Sequence, residues 1–146
     1  MQEFIKKLEN HYGKPISKLD KTIWYDISKN WKLSEEFIRE YKDKVSWYAI
    51  SRYQLISEDL IRDFKDRVDW ELISIFQELS EDFIQEFKDR VYWEWISKYQ
   101  TLSEKFIRKF KDKVDWYWIL KNQTLSKKFI NKYKDYPKKK WYEFWK

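Results

Sequence analysis

His11 is the only histidine in this 146-residue chain, and there is no cysteine. A Cys–His or Ser–His–Asp arrangement needs a histidine held beside its nucleophile. His11 instead stands next to Gly13 and Pro15, where the sequence reads as a loop. Thiolate metal sites are excluded, and the carboxylates alternate with Lys and Arg rather than clustering as ligands. The single glycine leaves no phosphate-cradling loop. Two helices could still juxtapose a pair of carboxylates for acid–base work, but no spacing singles out such a pair. The expectation is a protein that is not an enzyme, with no catalytic residue, no cofactor and no metal.

Recognition chemistry is better represented. Ten Trp, eleven Tyr and ten Phe stand among 31 basic and 25 acidic side chains, for a net charge of +6. Large aromatic side chains dominate protein interfaces. Basic residues interleaved with aromatics can hold phosphates and stack bases. Two groups follow. Tyr48, Arg52, Glu71, Glu94, Trp95, Lys98, Tyr117, Trp118 and Lys121 are candidates for contact with a protein partner. Lys127, Lys128, Lys132, Lys138, Lys139, Lys140 and Trp141 are candidates for contact with nucleic acid at the C-terminal end. Both groups are set by the frame that carries them.

That frame is a repeat. Trp24, Trp47, Trp70, Trp93 and Trp116 recur at a fixed step of 23 residues, and so do Val45, Val68, Val91 and Val114. Ile27, Ile50, Ile73, Ile96 and Ile119 keep the same step. A period between about 20 and 50 residues marks stacked supersecondary units, none of which buries its apolar face alone. Each unit reads as two short helices. The first starts at a serine (Ser34, Ser57, Ser80, Ser103 or Ser126), whose hydroxyl accepts from first-turn amides. Leu79 before the cap and Ile84 after it have the spacing of a hydrophobic staple. The second helix repeats the device, with caps at Ser46, Asp69 and Asp115, while Tyr92 breaks the pattern. The first helix is expected to bury Phe83, Ile84 and Phe87, and the second Trp93, Ile96 and Tyr99. Ala49 is the only alanine, so ring bulk is expected to hold neighbouring helices wide apart. The fold class is all-α: an αα-solenoid of tandem 23-residue helix-turn-helix repeats with atypical capping ends.

Polar positions recur too. Asp43, Asp66, Asp89, Asp112 and Asp135 follow the first helix, where a negative charge opposes the helix dipole. Each is expected to accept from the first amides of the second helix or from the Trp indole N–H. Gln54, Gln77, Gln100 and Gln123 are expected to bond backbone at the turn between repeats. Glu35–Arg39, Glu58–Arg62 and Glu104–Arg108 are i,i+4 pairs in the favourable order.

The length fits one domain. Residues 1–32 form a modified first unit, with a helix, a loop around 11–16 and a short helix from about Ser17. Full repeats occupy 33–55, 56–78, 79–101 and 102–124. A half repeat and a cap fill 125–146, where Trp141, Phe144 and Trp145 suit a closing amphipathic helix. Nothing resembles a signal peptide and no apolar run reaches membrane-spanning length, so a cytoplasmic protein is expected. Charge is uneven. Residues 33–100 carry ten basic and sixteen acidic side chains, whereas residues 101–146 carry fourteen and five. That acidic middle argues against tracking a duplex and could imitate nucleic-acid charge toward a basic partner.

The positions that vary while the frame repeats lie on the second helix. One file runs Tyr48, Glu71, Glu94, Tyr117; the next runs Ala49, Leu72, Trp95, Trp118; one turn on come Arg52, Ile75, Lys98, Lys121. Trp95 and Trp118 are not required by the frame, since Ala49 does without. The segments LSEDFIQEF, FKDRVYW and ISKYQ make a specific pattern over about residues 33–135. That pattern resembles a short tandem helical repeat predicted in proteins of giant viruses, bacteriophages and low-GC bacteria. The resemblance implies a small α-solenoid of viral or mobile-element origin, acting in the host cytoplasm, and transfers no catalytic residue. It implies a non-enzymatic inhibitor of a host factor, an anti-CRISPR protein being one such class. The alternatives are a nucleic-acid-binding module using the basic C-terminal end, and a structural spacer.

Overall fold

A computed structural model describes residues 1–136. Every regular element among them is helical. The chain packs as two compact units, Met1–Gln77 and a second one beginning at Glu78. The first holds α1 (Gln2–Tyr12), a 3₁₀ turn (Ile16–Lys18), α2 (Lys21–Asn30), α3 (Glu35–Glu40), α4 (Trp47–Tyr53), α5 (Glu58–Asp63) and α6 (Trp70–Phe76). The second holds α7 (Glu81–Glu86), α8 (Trp93–Tyr99), α9 (Glu104–Lys109), α10 (Trp116–Asn122) and α11 (Lys127–Tyr133). Each unit is a run of the helix pairs expected of an αα-solenoid. The expected closing helix around Trp141, Phe144 and Trp145 lies outside the described residues.

The repeat helices are six or seven residues long, far too short to persist alone in water. Caps set where they begin. Ser34, Ser57, Ser80, Ser103 and Ser126 each accept from the amide three residues on. Ser46, Asp69 and Asp115 do the same for α4, α6 and α10. Tyr92 gives α8 no side-chain cap, as its residue type dictates.

The first unit departs from the expected start at Ser17. Ser17 is consumed by the 3₁₀ turn after Pro15, and Asp20 is the next side chain on extended backbone. Its carboxylate accepts from Thr22 and Ile23, both at 3.0 Å, and α2 starts at Lys21. Gly13 ends α1 with φ +64°, the one left-handed residue among those described.

Burial follows the 23-residue step. Ile27, Ile50, Ile73, Ile96 and Ile119 are fully buried, as are Phe37, Phe83 and Ile84. The indole of one second helix lies on the rings of the following first helix. Trp24 meets Tyr41 at 5.2 Å between centroids, Trp47 meets Phe64 at 4.6 Å and Trp93 meets Phe110 at 5.1 Å. Trp116 meets Tyr133 at 5.0 Å. Interleaved rings thus flank a core in which most of the large, fully buried side chains are isoleucines.

Two expectations are overturned. Tyr99 is half exposed rather than buried. At about 100° per residue, Trp93, Ile96, Ser97 and Gln100 fall on one side of α8, while Trp95, Lys98 and Tyr99 fall on the opposite side. Nor are all neighbouring helices held apart. Within the first unit α2, α4 and α6 follow one another with Cα–Cα approaches inside 8 Å, and α8 and α10 do so in the second. Serine provides the room: Ser28, Ser51, Ser74 and Ser97 are fully buried on these helices.

Candidate interaction surface

Most repeated polar groups are spent on joining one repeat to the next. Ser28 Oγ donates to the Trp24 carbonyl at 2.7 Å and accepts the Ser46 N–H at 2.9 Å. Ser97 does the same with Trp93 and Asp115. Gln54 reaches back to the preceding repeat, its amide N–H groups donating to the carbonyls of Ser28 and Trp31 while its oxygen accepts from the Leu33 N–H. Gln123 repeats that set with Ser97, Gln100 and Leu102. The bonds from the glutamines to backbone were legible in the residue type and position. The serine role was not.

Glutamates at the start of the first helices also bridge repeats. Glu35 accepts the Ser57 N–H at 2.7 Å and Glu104 accepts the Ser126 N–H at 2.7 Å. Those backbone and hydroxyl bonds from Ser126, ahead of the nearby Arg108 charge, hold the Glu104 carboxyl below its usual range. Glu58–Arg62 and Glu104–Arg108 form the expected ion pairs at 3.6 Å. Arg39 turns instead to Asp63 of the next repeat at 2.6 Å.

The repeated aspartates do not take indole protons. Trp47, Trp70, Trp93 and Trp116 donate Nε1–H to the carbonyls of Lys42, Lys65, Lys88 and Lys111 at 2.8–2.9 Å. Asp43 reaches Arg67 at 2.7 Å, Asp89 reaches Lys113 at 3.2 Å, and Asp112 accepts from the Tyr136 hydroxyl at 2.7 Å. These carboxylates face the neighbouring repeat 24 residues on, not their own second helix.

What the frame leaves over gathers on the outer side of the second helices. In the second unit, α8 and α10 bring together Trp95, Lys98, Tyr117, Trp118 and Lys121 of the candidate set, with Tyr99 added. The Lys98 ammonium lies 4.2 Å from the centroid of Trp118, 4.9 Å from Tyr99 and 5.4 Å from Trp95. Lys121 lies 5.3 Å from both Tyr117 and Trp118 and donates to the Tyr117 hydroxyl at 3.2 Å. Trp95 stacks on Tyr99, and Tyr117 meets Trp118 edge-on. Tyr117 is 61% exposed, and Trp95 and Trp118 are half-buried. Glu94 is exposed beside them.

The first unit carries its own group. The Arg52 guanidinium lies 5.3 Å from the Tyr53 ring and 4.9 Å from Phe76, and Lys29 lies 5.4 Å from Tyr53. Tyr48 and Glu71 are exposed on the same helices. Leu55, in the turn after α4, is 87% exposed. Tyr53, Phe76 and Tyr99 escaped the sequence reading because their aromatic character matched the core. The angle they make with Ile50, Ile73 and Ile96 would have revealed them.

Lys127, Lys128 and Lys132 are exposed on α11. Lys138, Lys139, Lys140 and Trp141 lie outside the described residues. His11 packs edge-on against Tyr12 and Trp31 at the N-terminal end. There the Tyr12 hydroxyl donates to Asp26 and accepts the Trp31 indole N–H at 2.9 Å.

Among the described residues no three His, Cys, Asp or Glu side chains are placed to hold a metal ion. No helix among them is long and apolar enough to cross a membrane. Set against family models, curated proteins and solved structures, the chain matches none of them.

Proposed function

We propose that the protein is a non-enzymatic protein-binding repeat scaffold whose outer second-helix side chains contact a partner and mask part of its surface. One observation carries this reading. The frame repeats its buried isoleucines and bridging glutamines, while the outward positions of α8 and α10 change identity and concentrate Trp, Tyr and Lys in one patch. Aromatic anchors of that kind contribute most of the energy at protein interfaces. Trp95 and Trp118 are half-buried, whereas Ala49 and Leu72 in the same slot of the first unit are buried, so both indoles offer ring surface that the smaller side chains do not. The resemblance of the repeat to those of giant viruses and bacteriophages extends the reading to inhibition of a host defence protein.

Photo-crosslinking from a benzoylphenylalanine at position 117, compared with one at position 105 on the outward side of α9, tests the reading in lysates of candidate host cells. A discrete adduct from 117, absent from 105 and removed by Trp118→Ala, is expected. Adducts from 105 alone, or equal labelling from both positions, would refute the second-helix interface.

A further inference from the structure

Two groups of cations among the described residues contrast. Arg39, Arg67 and Lys113 sit on first-helix segments and are neutralised by carboxylates of a neighbouring repeat at 2.6–3.2 Å. Lys98 and Lys121 are not. Their polar and cation–ring contacts among the described residues run to aromatic rings, with one bond from Lys121 to the Tyr117 hydroxyl. Glu94, one turn before Lys98, forms no ion pair with it.

An ammonium against an indole is held by the ring quadrupole and is partly shielded from water on that side. It keeps N–H donors for an incoming acceptor, and shielding raises the value of an opposite charge placed there. Trp95, Tyr99, Tyr117 and Trp118 each already hold an ammonium within 5.4 Å of their centroid. A nucleobase would have to compete with those ammoniums for the rings. A carboxylate adds to the ammoniums without displacing anything. Both lysines also share the Trp118 ring, so two acidic side chains of one short segment can reach them together.

We infer that the patch on α8 and α10 takes an acidic segment of a protein partner, with carboxylates seated on Lys98 and Lys121 and apolar parts of the segment against Trp95 and Trp118. This rests on the protein-binding reading above and adds the chemistry of the partner.

The test uses a fluorescein-labelled deca-glutamate peptide, a deca-glutamine control and decathymidylate, titrated with the full chain and followed by anisotropy. Deca-glutamate is expected to bind, to lose affinity as salt is raised, and to weaken about tenfold or more in the Lys98→Gln/Lys121→Gln double variant. Deca-glutamine is expected not to bind. Unchanged deca-glutamate affinity in the double variant, or decathymidylate binding more tightly and through the same lysines, would overturn the inference. The cross-link from position 117 separates the two failures. An adduct removed by Trp118→Ala but kept in the lysine double variant leaves the interface standing and refutes the acidic partner. Loss of the position-117 adduct in the lysine double variant as well supports it.

Discussion

The backbone N–H of Asp69 donates to the hydroxyl of Ser51 at 3.0 Å, and the same hydroxyl donates to the Trp47 carbonyl at 2.7 Å. One fully buried side chain thus closes a turn of α4 and satisfies the residue that caps α6 in the next repeat. The pattern recurs at Ser28 and Ser97. It fixes the register between adjacent second helices, and its small size permits their close approach. These helices carry the aromatic and cationic patches, so within each unit the serine file sets the spacing of the proposed interaction surface.

Ser51→Ala keeps the volume small and leaves the N–H of the half-buried Asp69 without its acceptor. An unsatisfied buried donor costs roughly 1–3 kcal/mol. Urea unfolding should show a loss in that range with an unchanged slope. A loss below about 0.5 kcal/mol, the ordinary size of a surface change, would mean the hydroxyl does not join the repeats.

The frame tryptophans supply a matched comparison. Trp24 and Trp116 are buried to nearly the same degree, at 3% and 4% exposure. Trp116 donates Nε1–H to the Lys111 carbonyl at 2.8 Å, whereas the buried Trp24 Nε1 has no partner among the described residues. The 3₁₀ turn before α2 replaces the segment that supplies this carbonyl in other repeats. Trp→Phe removes similar packing at both sites but a satisfied donor at only one. Trp116→Phe should therefore cost about 1 kcal/mol more than Trp24→Phe. Equal losses in thermal unfolding, or a larger loss at Trp24, would contradict the assignment.

How much of this was legible depends on whether a residue acts within its repeat or across two. Serine and aspartate caps act locally, so Ser34, Ser46 and Asp69 read directly from the sequence. Gln54 reads almost as well, because a buried amide at a turn has backbone to satisfy. Ser51 does not. A serine within a helix normally faces water, and only the approach of the next repeat gives it a role. The Asp43–Arg67 and Asp89–Lys113 pairs were missed for the same reason, although complementary charge 24 residues apart was visible in principle. At the patch, Trp95 and Trp118 stand out in the sequence because they break a file. Tyr99 was lost because a tyrosine there resembles core until its angle around the helix is drawn.

The N-terminal network ties α1 to α2 and has a pH signature. The Tyr12 hydroxyl bond, and then the Asn30 amide, hold the Asp26 carboxyl below its ordinary 3.8. Burial, and then the bond to Asp26, push Tyr12 up to about 12. A depressed carboxyl contributes stability that is complete above 3.8 and is lost as pH falls through the folded value. A raised phenol contributes stability that is complete below 10 and is lost as pH climbs from 10 toward 12. The melting difference between the protein and Tyr12→Phe should therefore be widest at neutral pH and narrow on both sides. A difference constant across pH would show that the bond carries none of the effect.

Tyr92 offers the opposite kind of change, a repair. Its backbone, φ −90° and ψ 102°, matches that of Asp69 at −86° and 107° and Asp115 at −83° and 108°. The two aspartates accept first-turn amides, and Tyr92 does not. Its ring is about half exposed, so replacing it removes little burial. Tyr92→Asp places an acceptor and a negative charge at the positive end of α8, and a cap of this type contributes about 1 kcal/mol. The variant should melt higher than the parent, and the gain should shrink as pH falls through the new carboxyl's titration. Lower stability at neutral pH would mean that Tyr92 makes a contact worth more than the missing cap. Because α8 carries Trp95 and Lys98, a firmer start to that helix should also leave deca-glutamate binding unchanged or tighter. That result would separate a cap residue from an interface residue at position 92.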